Sequence, residues 1–230
     1  MAKRFFLLSL LGLLLIPVAQ ADDYTVEELE RWFNSDKFEP PNPVGNVNDG
    51  ELEFLTALPK KKIHHHHNSV TILPNSLQDG WVIVKQCHSN IDQVSAAQVV
   101  FKQERVKDLQ VLEYQNIGRA WVEGPTVQMT DITANATICL QARTRALYIR
   151  DDGSYCLRNG PFMRRFLDGY YPIRVSMDIV YKGTGLKLVN TLPKQQAGFS
   201  IWQKQNELGF DAVFEGQLRT EFSFEVETLI

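Results

Sequence analysis

Five imidazoles gathered into one part of a 230-residue chain are the side chains best placed to do chemistry. His64, His65, His66 and His67 follow Lys60-Lys61-Lys62-Ile63, and the fifth, His88, closes the run Trp81-Val82-Ile83-Val84-Lys85-Gln86-Cys87-His88. Segments 63–73 and 81–88 read as an antiparallel pair joined by residues 74–80. Side chains alternate faces along a strand, so His64 and His66 point one way and His65 and His67 the other. If Val70 pairs with Val84, His66 falls opposite His88. Three imidazoles then share a face and leave a fourth position open, which is a zinc- or copper-like arrangement. Cys87 would join for a soft ion. A slip of one residue would instead set His66 opposite Cys87. Lys60, Lys61 and Lys62 would repel a bound cation, yet they favour the neutral imidazole that metal binding requires. Two plainer readings stand beside the metal site. One is a polar edge strand that deters sheet-to-sheet aggregation. The other is a basic patch that strengthens below about pH 6.5 and attracts anionic partners.

A second candidate is residues 159–172, Asn-Gly-Pro-Phe-Met-Arg-Arg-Phe-Leu-Asp-Gly-Tyr-Tyr-Pro. Phe162, Arg164, Arg165, Tyr170 and Tyr171 are residue types that anchor interfaces, which suits a glycan or an envelope protein as partner. Gly160-Pro161 can open a helical turn with proline at its first position, ended by Gly169. The competing reading is a crossover between sheets in which Phe162, Phe166 and Leu167 plug one end of the core.

No motif for nucleophilic or metal-assisted catalysis is present: there is no G-x-S-x-G, H-E-x-x-H or C-x-x-C, and no phosphate-cradling glycine loop. An envelope hydrolase would have to take its base from the same histidine window. Cys87 and His88 are adjacent on a strand and face opposite ways, so they cannot act together without a bulge.

The elements that must position these residues are short strands. After Gly50 the chain breaks into runs of valine, isoleucine, threonine and aromatics bounded by Gly, Pro, Asn and Asp. Runs are expected at 51–58, 63–73, 81–87, 97–101, 109–114, 120–123, 126–132, 137–142, 146–150, 155–158, 173–181, 186–191, 199–203, 208–214 and 218–226. Asp151-Asp152-Gly153 and Gly183-Thr184-Gly185 read as tight turns between strands. Many short strands with frequent turns describe an all-β antiparallel sandwich or barrel over residues 51–230. Ahead of it, Thr25-Val26-Glu27-Glu28 is a capping box, and Val26, Leu29, Trp32 and Phe33 make an apolar stripe, so a short amphipathic helix is expected over 26–34. A Pro/Asn-rich linker follows, reaching residue 50.

The first 21 residues read as a cleaved signal peptide: Lys3 and Arg4, an apolar run over 5–16, and an Ala19-Gln20-Ala21 end. The run is too short to span a bilayer. Removing its two cations from the chain's 24 leaves 22 against 27 acids, a net charge of −5 that argues against nucleic acid as partner. Three cysteines in an oxidising compartment suggest one disulfide. Three pairings are possible; Cys139 with Cys156 is the expected one, because both lie in strand-like runs close in sequence, and Cys87 is then free beside His88, whereas a bridge from Cys87 to either of the others would remove its thiol from any chemistry. The expectation is therefore a non-enzymatic protein of the periplasm or the secreted fraction. It acts by binding or assembly, with zinc or copper at His64, His66, His88 and Cys87, or a partner at residues 159–172.

Overall fold

Period-two alternation, the strongest pattern in the sequence, becomes fifteen strands among the described residues. The computed structural model describes residues 48–227 apart from Asp49, Leu58 and Leu167. The signal segment, the 26–34 helix and most of the linker expected above lie outside the described residues.

In chain order the strands are β1 (Glu53–Phe54), β2 (His65–Thr71), β3 (Trp81–Ile91), β4 (Ala96–Val100), β5 (Val106–Glu123), β6 (Thr126–Arg145), β7 (Leu147–Ile149), β8 (Tyr155–Phe162), β9 (Arg165–Phe166), β10 (Gly169–Tyr170), β11 (Ile173–Val180), β12 (Leu186–Leu192), β13 (Phe199–Lys204), β14 (Glu207–Glu215) and β15 (Leu218–Val226). A single helical turn, Ser76–Asp79, sits between β2 and β3. The expected sandwich class holds: nine strands form one sheet, four form a second, and none of these sheets closes into a barrel. The large sheet runs β14-β11-β2-β3-β6. At one end β1 and β13 both pair with β14, and at the other β4 and β5 pair with opposite sides of β6. The second sheet runs β12-β15-β8-β7. Every named pairing is antiparallel except β11 with β2, which is parallel. Among the described residues no helix is long and apolar enough to cross a membrane.

β11 shows why the sheets stack. Ile173, Val175, Met177 and Ile179 are buried, and Arg174, Ser176, Asp178 and Val180 between them are not. Their apolar face meets Leu157 of β8 and Phe222 and Phe224 of β15 across the sandwich. Phe199, Phe210 and Phe222 are fully buried and stack in series, with ring centroids 5.1 and 6.1 Å apart. Burying each ring contributes roughly 1.5–3 kcal/mol. A separate apolar cluster of Val127, Met129, Ile132, Ile138 and Leu140 lies under the β4-β6-β5 end.

Several boundaries depart from the sequence reading. The runs expected at 109–114 and 120–123 are one strand, β5, and those at 126–132 and 137–142 are one strand, β6. Asn116, Asp131 and Asn135, which read as turn residues, have φ of 58°, 54° and 57° inside these strands, where β5 and β6 slip register. Such bulges bend a strand without ending it. Asp151-Asp152-Gly153 does turn β7 into β8. Gly183-Thr184-Gly185 instead carries the chain from one sheet to the other, so β11 and β12 are not a hairpin.

Candidate functional site

One face of β2 changes character along its length. His66 and Asn68 are followed on that face by Val70 and then Ile72, both buried in the sandwich. The register sets Val70 opposite Val84, Asn68 opposite Gln86 and His66 opposite His88. This is the pairing that brings the three histidines onto one face. On the other side of β2, Val175 lies beside His66 and Met177 beside Asn68. On the far side of β3, Ile138 lies beside His88 and Leu140 beside Gln86. The polar cluster is thus set into the inward face of a central sheet. The edge-strand reading fails, because β2 is hydrogen-bonded on both sides.

The rings touch. His64 Nε2 lies 2.9 Å from His88 Nδ1, and the His66 and His88 ring centroids are 4.3 Å apart. With its amide nitrogen toward the ring, Gln86 donates to His88 Nε2 at 2.6 Å. His88 then carries its proton on Nδ1 and donates to His64 Nε2. His66 donates through Nε2 to Asn68 Oδ1 at 3.1 Å and meets the Phe162 ring edge-on, centroids 5.2 Å apart. Burial keeps the rings neutral. It pulls His64 down to about 4, with Asp92 opposing and Arg164 assisting, and His66 down to about 3, with His64 assisting. His88 falls well below its ordinary value for the same first cause, with His66 and His64 adding to it.

A cleft of about 830 Å³ opens over this cluster. One wall is β4 and the residue after it, with Ala97, Val99 and Phe101. The other is Phe162, Met163 and Phe166. The two stretches singled out in the sequence, 64–88 and 159–172, therefore meet in one place. At the mouth, Arg164 is held to Asp92 by two hydrogen bonds, Nε to Oδ2 at 2.9 Å and Nη2 to Oδ1 at 2.7 Å. Those bonds hold the Asp92 carboxyl below the usual range. Arg164 also lies over the Phe166 and Tyr171 rings at 5.0 and 5.5 Å.

The described residues of 159–172 form no helical turn. β8 runs through Gly160 and Pro161 to Phe162, and Gly169 belongs to the short β9–β10 hairpin. Gly160 has φ +94°, and a Cβ there would sit 2.6 Å from the Leu218 carbonyl oxygen, so glycine is required where β8 passes β15. Phe162 and Tyr170 are buried, and Tyr170 Oη accepts from Gln217 Nε2 at 2.8 Å. Arg165 is exposed, with its guanidinium 5.4 Å from the Tyr170 ring centroid, and Tyr171 is half-buried, donating through Oη to Asp168.

The expected Cys139–Cys156 bridge is not formed. Cys87 is joined to Cys139, its directly opposed partner across β3 and β6, with Cα atoms 4.1 Å apart. Cys156 is a buried free thiol in β8, opposite Ser223 in the second sheet. Proximity in sequence misled because β6 and β8 belong to different sheets. Cys87 is therefore spent as a thiolate ligand, and it points to the outward face with His65 and His67. On that face Ser176 Oγ lies 2.8 Å from both His65 Nε2 and His67 Nδ1. Among the described residues no group of three or more His, Cys, Asp or Glu side chains is disposed to hold a metal ion.

Sequence reasoning missed Gln86, Asn68 and Asp92. The first two were within reach: Asn68 follows His66 by two, and Gln86 precedes His88 by two, so each shares its histidine's face. Asp92 stands just past the end of β3, but its partner Arg164 comes from beyond the end of β8, and the β4 wall carries no local signal because β4 joins the sheet through β6.

No protein-family model matches the chain, and no curated protein matches it. Among solved structures the chain is similar to a two-domain M1 zinc metallopeptidase mutant bound to L-tryptophan, at a TM-score of 0.37 and 9% identity. The match covers 77% of this chain and 43% of that one, so the chain spans under half of that protein's length. At that distance the likeness says nothing about chemistry.

Proposed function

We propose that this is an exported, non-catalytic binding protein of the bacterial envelope, whose cleft takes a small molecule with an apolar body and at least one hydrogen-bonding group. The observation that carries the reading is the cleft itself: about 830 Å³, walled by Ala97, Val99, Phe101, Phe162 and Met163 and floored by His64, Gln86 and His88. Ligand sites are of this size, mostly apolar, with a few fixed polar groups that orient what they hold. A polar cluster inside a core face costs stability unless its groups are satisfied, and neutral imidazoles ranked along one edge offer donors and acceptors without charge. The segment at residues 1–21 and the Cys87–Cys139 bridge support export to an oxidising compartment.

The test is to express the full chain, recover it from the periplasmic fraction and examine it by native mass spectrometry and organic extraction. A co-purifying small molecule is expected, and Met163→Trp, at the exposed edge of the cleft, and Ala97→Trp, deeper in it, should both lose that molecule. Native masses equal to the bare polypeptide for wild type and variants alike, after exposure to an envelope extract, would overturn the proposal. Retention of the chain in the cytoplasm with its first 21 residues intact would overturn the export part.

A further inference from the structure

The cleft does not end at the histidines. It shares Gln86, Val100, Phe101 and the wall Gly160, Pro161, Phe162 with a further cavity of about 470 Å³. In the other direction it shares Ile91, Asp92, Val94 and Phe166 with one of about 710 Å³. The three make a continuous groove across the inward face of the large sheet. Its charge is the reverse of the chain's. The whole sequence has 27 acids against 24 lysines and arginines, yet among the described residues Asp92 is the one carboxylate lining any part of this groove, and Arg164 already neutralises it.

The cations concentrate at one end. Lys102, Arg105, Arg145, Arg158 and Arg219 line the cavity beyond Phe101, while Lys61 and Lys62 line the opposite end. Arg158 is paired with Glu221 at 3.0 Å. Among the described residues Lys102, Arg105, Arg145 and Arg219 make no ion pair within 4 Å. Arg105 and Arg158 lie at the same distance, 5.7 Å, from the Tyr148 ring centroid, so two guanidiniums lie against one aromatic ring. A group of like charges focused in a concave, low-dielectric surface raises the local concentration of anions. Guanidiniums favour oxyanions, which they bind with two parallel hydrogen bonds.

Between these ends the walls formed by Ala97, Val99, Phe101, Phe162 and Met163 are aliphatic and aromatic, over a floor of His64, His66, Gln86 and His88 and with Gln98, Arg164 and Arg165 also in the lining. An extended polyhydroxyl chain would leave many hydroxyls without partners against Ala97, Val99, Phe101 and Met163, whereas an alkyl chain would leave none. We infer that the groove binds an anionic amphiphile, with its apolar tail in the central cleft and its carboxylate or phosphate head held by Lys102, Arg105, Arg145 and Arg219. This inference rests on the ligand-binding reading of the central cleft and adds to it the ligand's charge and direction.

The test uses the full mature chain and a fluorescent fatty acid, 11-(dansylamino)undecanoic acid, against its uncharged methyl ester. The acid should bind about tenfold more tightly than the ester, with the advantage lost at high salt. Lys102→Gln with Arg219→Gln, both exposed and so safe for folding, should erase that advantage and leave ester binding unchanged. Met163→Trp should weaken both probes. Equal affinity for acid and ester, unmoved by the double variant, would overturn the anionic head while the cleft reading stands. A larger effect from Lys61→Gln with Lys62→Gln would overturn the assigned direction. Complete displacement of the acid by inorganic phosphate in modest excess would replace the amphiphile with a free-anion site. Binding of neither probe, with no effect of Met163→Trp on the extracted native ligand, would overturn both readings.

Discussion

Acidification from pH 7 to pH 5 should destabilise the fold sharply, and the loss should come from the three inward histidines. In the unfolded chain each takes up a proton below about 6.5, while in the fold His64 does so only at about 4 and His66 at about 3. A base whose folded value is lowered gives its full contribution above 6.5. That contribution is lost progressively as pH falls through the window down to the folded value. At pH 5 both rings are still neutral in the fold, so each costs about 1.4 kcal/mol for every pH unit below 6.5, or about 2 kcal/mol. The two together cost about 4 kcal/mol, and His88, lowered in the same direction by burial, adds to that loss. A domain whose whole stability is about 5–15 kcal/mol feels that strongly. Urea melts followed by tryptophan fluorescence should show the midpoint falling by about 2 M between pH 7 and pH 5, taking a slope of about 2–3 kcal/mol per molar. His66→Gln should lower stability at pH 7 but remove about 2 kcal/mol of the pH dependence. Equal midpoints at the two pH values, or a variant that keeps the full dependence, would refute the reasoning.

Gly160→Ala should cost about 2 kcal/mol in a denaturant melt, because it forces a side chain into a positive-φ conformation and against the Leu218 carbonyl. Removing the bridge with Cys87→Ser and Cys139→Ser should cost about 4 kcal/mol on the chain-entropy estimate for a 52-residue separation. A thiol reagent should find no reactive cysteine in the native wild type and one, Cys156, in urea without reductant. Zinc or copper should not raise the melting temperature of protein purified without a nickel column. His64 Nε2 and His88 Nδ1, 2.9 Å apart, are closer than the roughly 3.3 Å that a tetrahedral ion needs between two imidazole nitrogens. Stoichiometric metal that His66→Ala abolishes would restore the metal reading.

What could be read from the sequence was local in origin. The alternation of β11 was plain in its residues, and the apolar residues of β2 and β3 offered the register that pairs Val70 with Val84 and His66 with His88, but a slip of one residue stood beside it and only the structure decides between the two. The disulfide was misread because its partners lie 52 residues apart and only the packing of β3 against β6 shows them opposed. β2 was mistaken for an edge because its composition is polar, whereas its second neighbour, β11, arrives about a hundred residues later. The cleft was invisible for the same reason: one wall is supplied by β4 and the other by the end of β8. Asn116, Asp131 and Asn135 hid the length of β5 and β6, since a bulge and a turn draw on the same residues.

The parallel pairing of β2 with β11 also sets an order of events. The hairpin of β2 and β3 can form as soon as both have emerged, but the other side of β2 has no partner until Ile173–Val180 is available. Until then the histidine strand offers a row of unpaired backbone groups to any neighbouring chain. Long-range parallel pairing is slow to form. A chain emerging amino-terminus first would pass through a stage in which the future binding cleft is an open, adhesive ribbon, and a fragment ending before residue 173 should aggregate where the full chain stays dispersed.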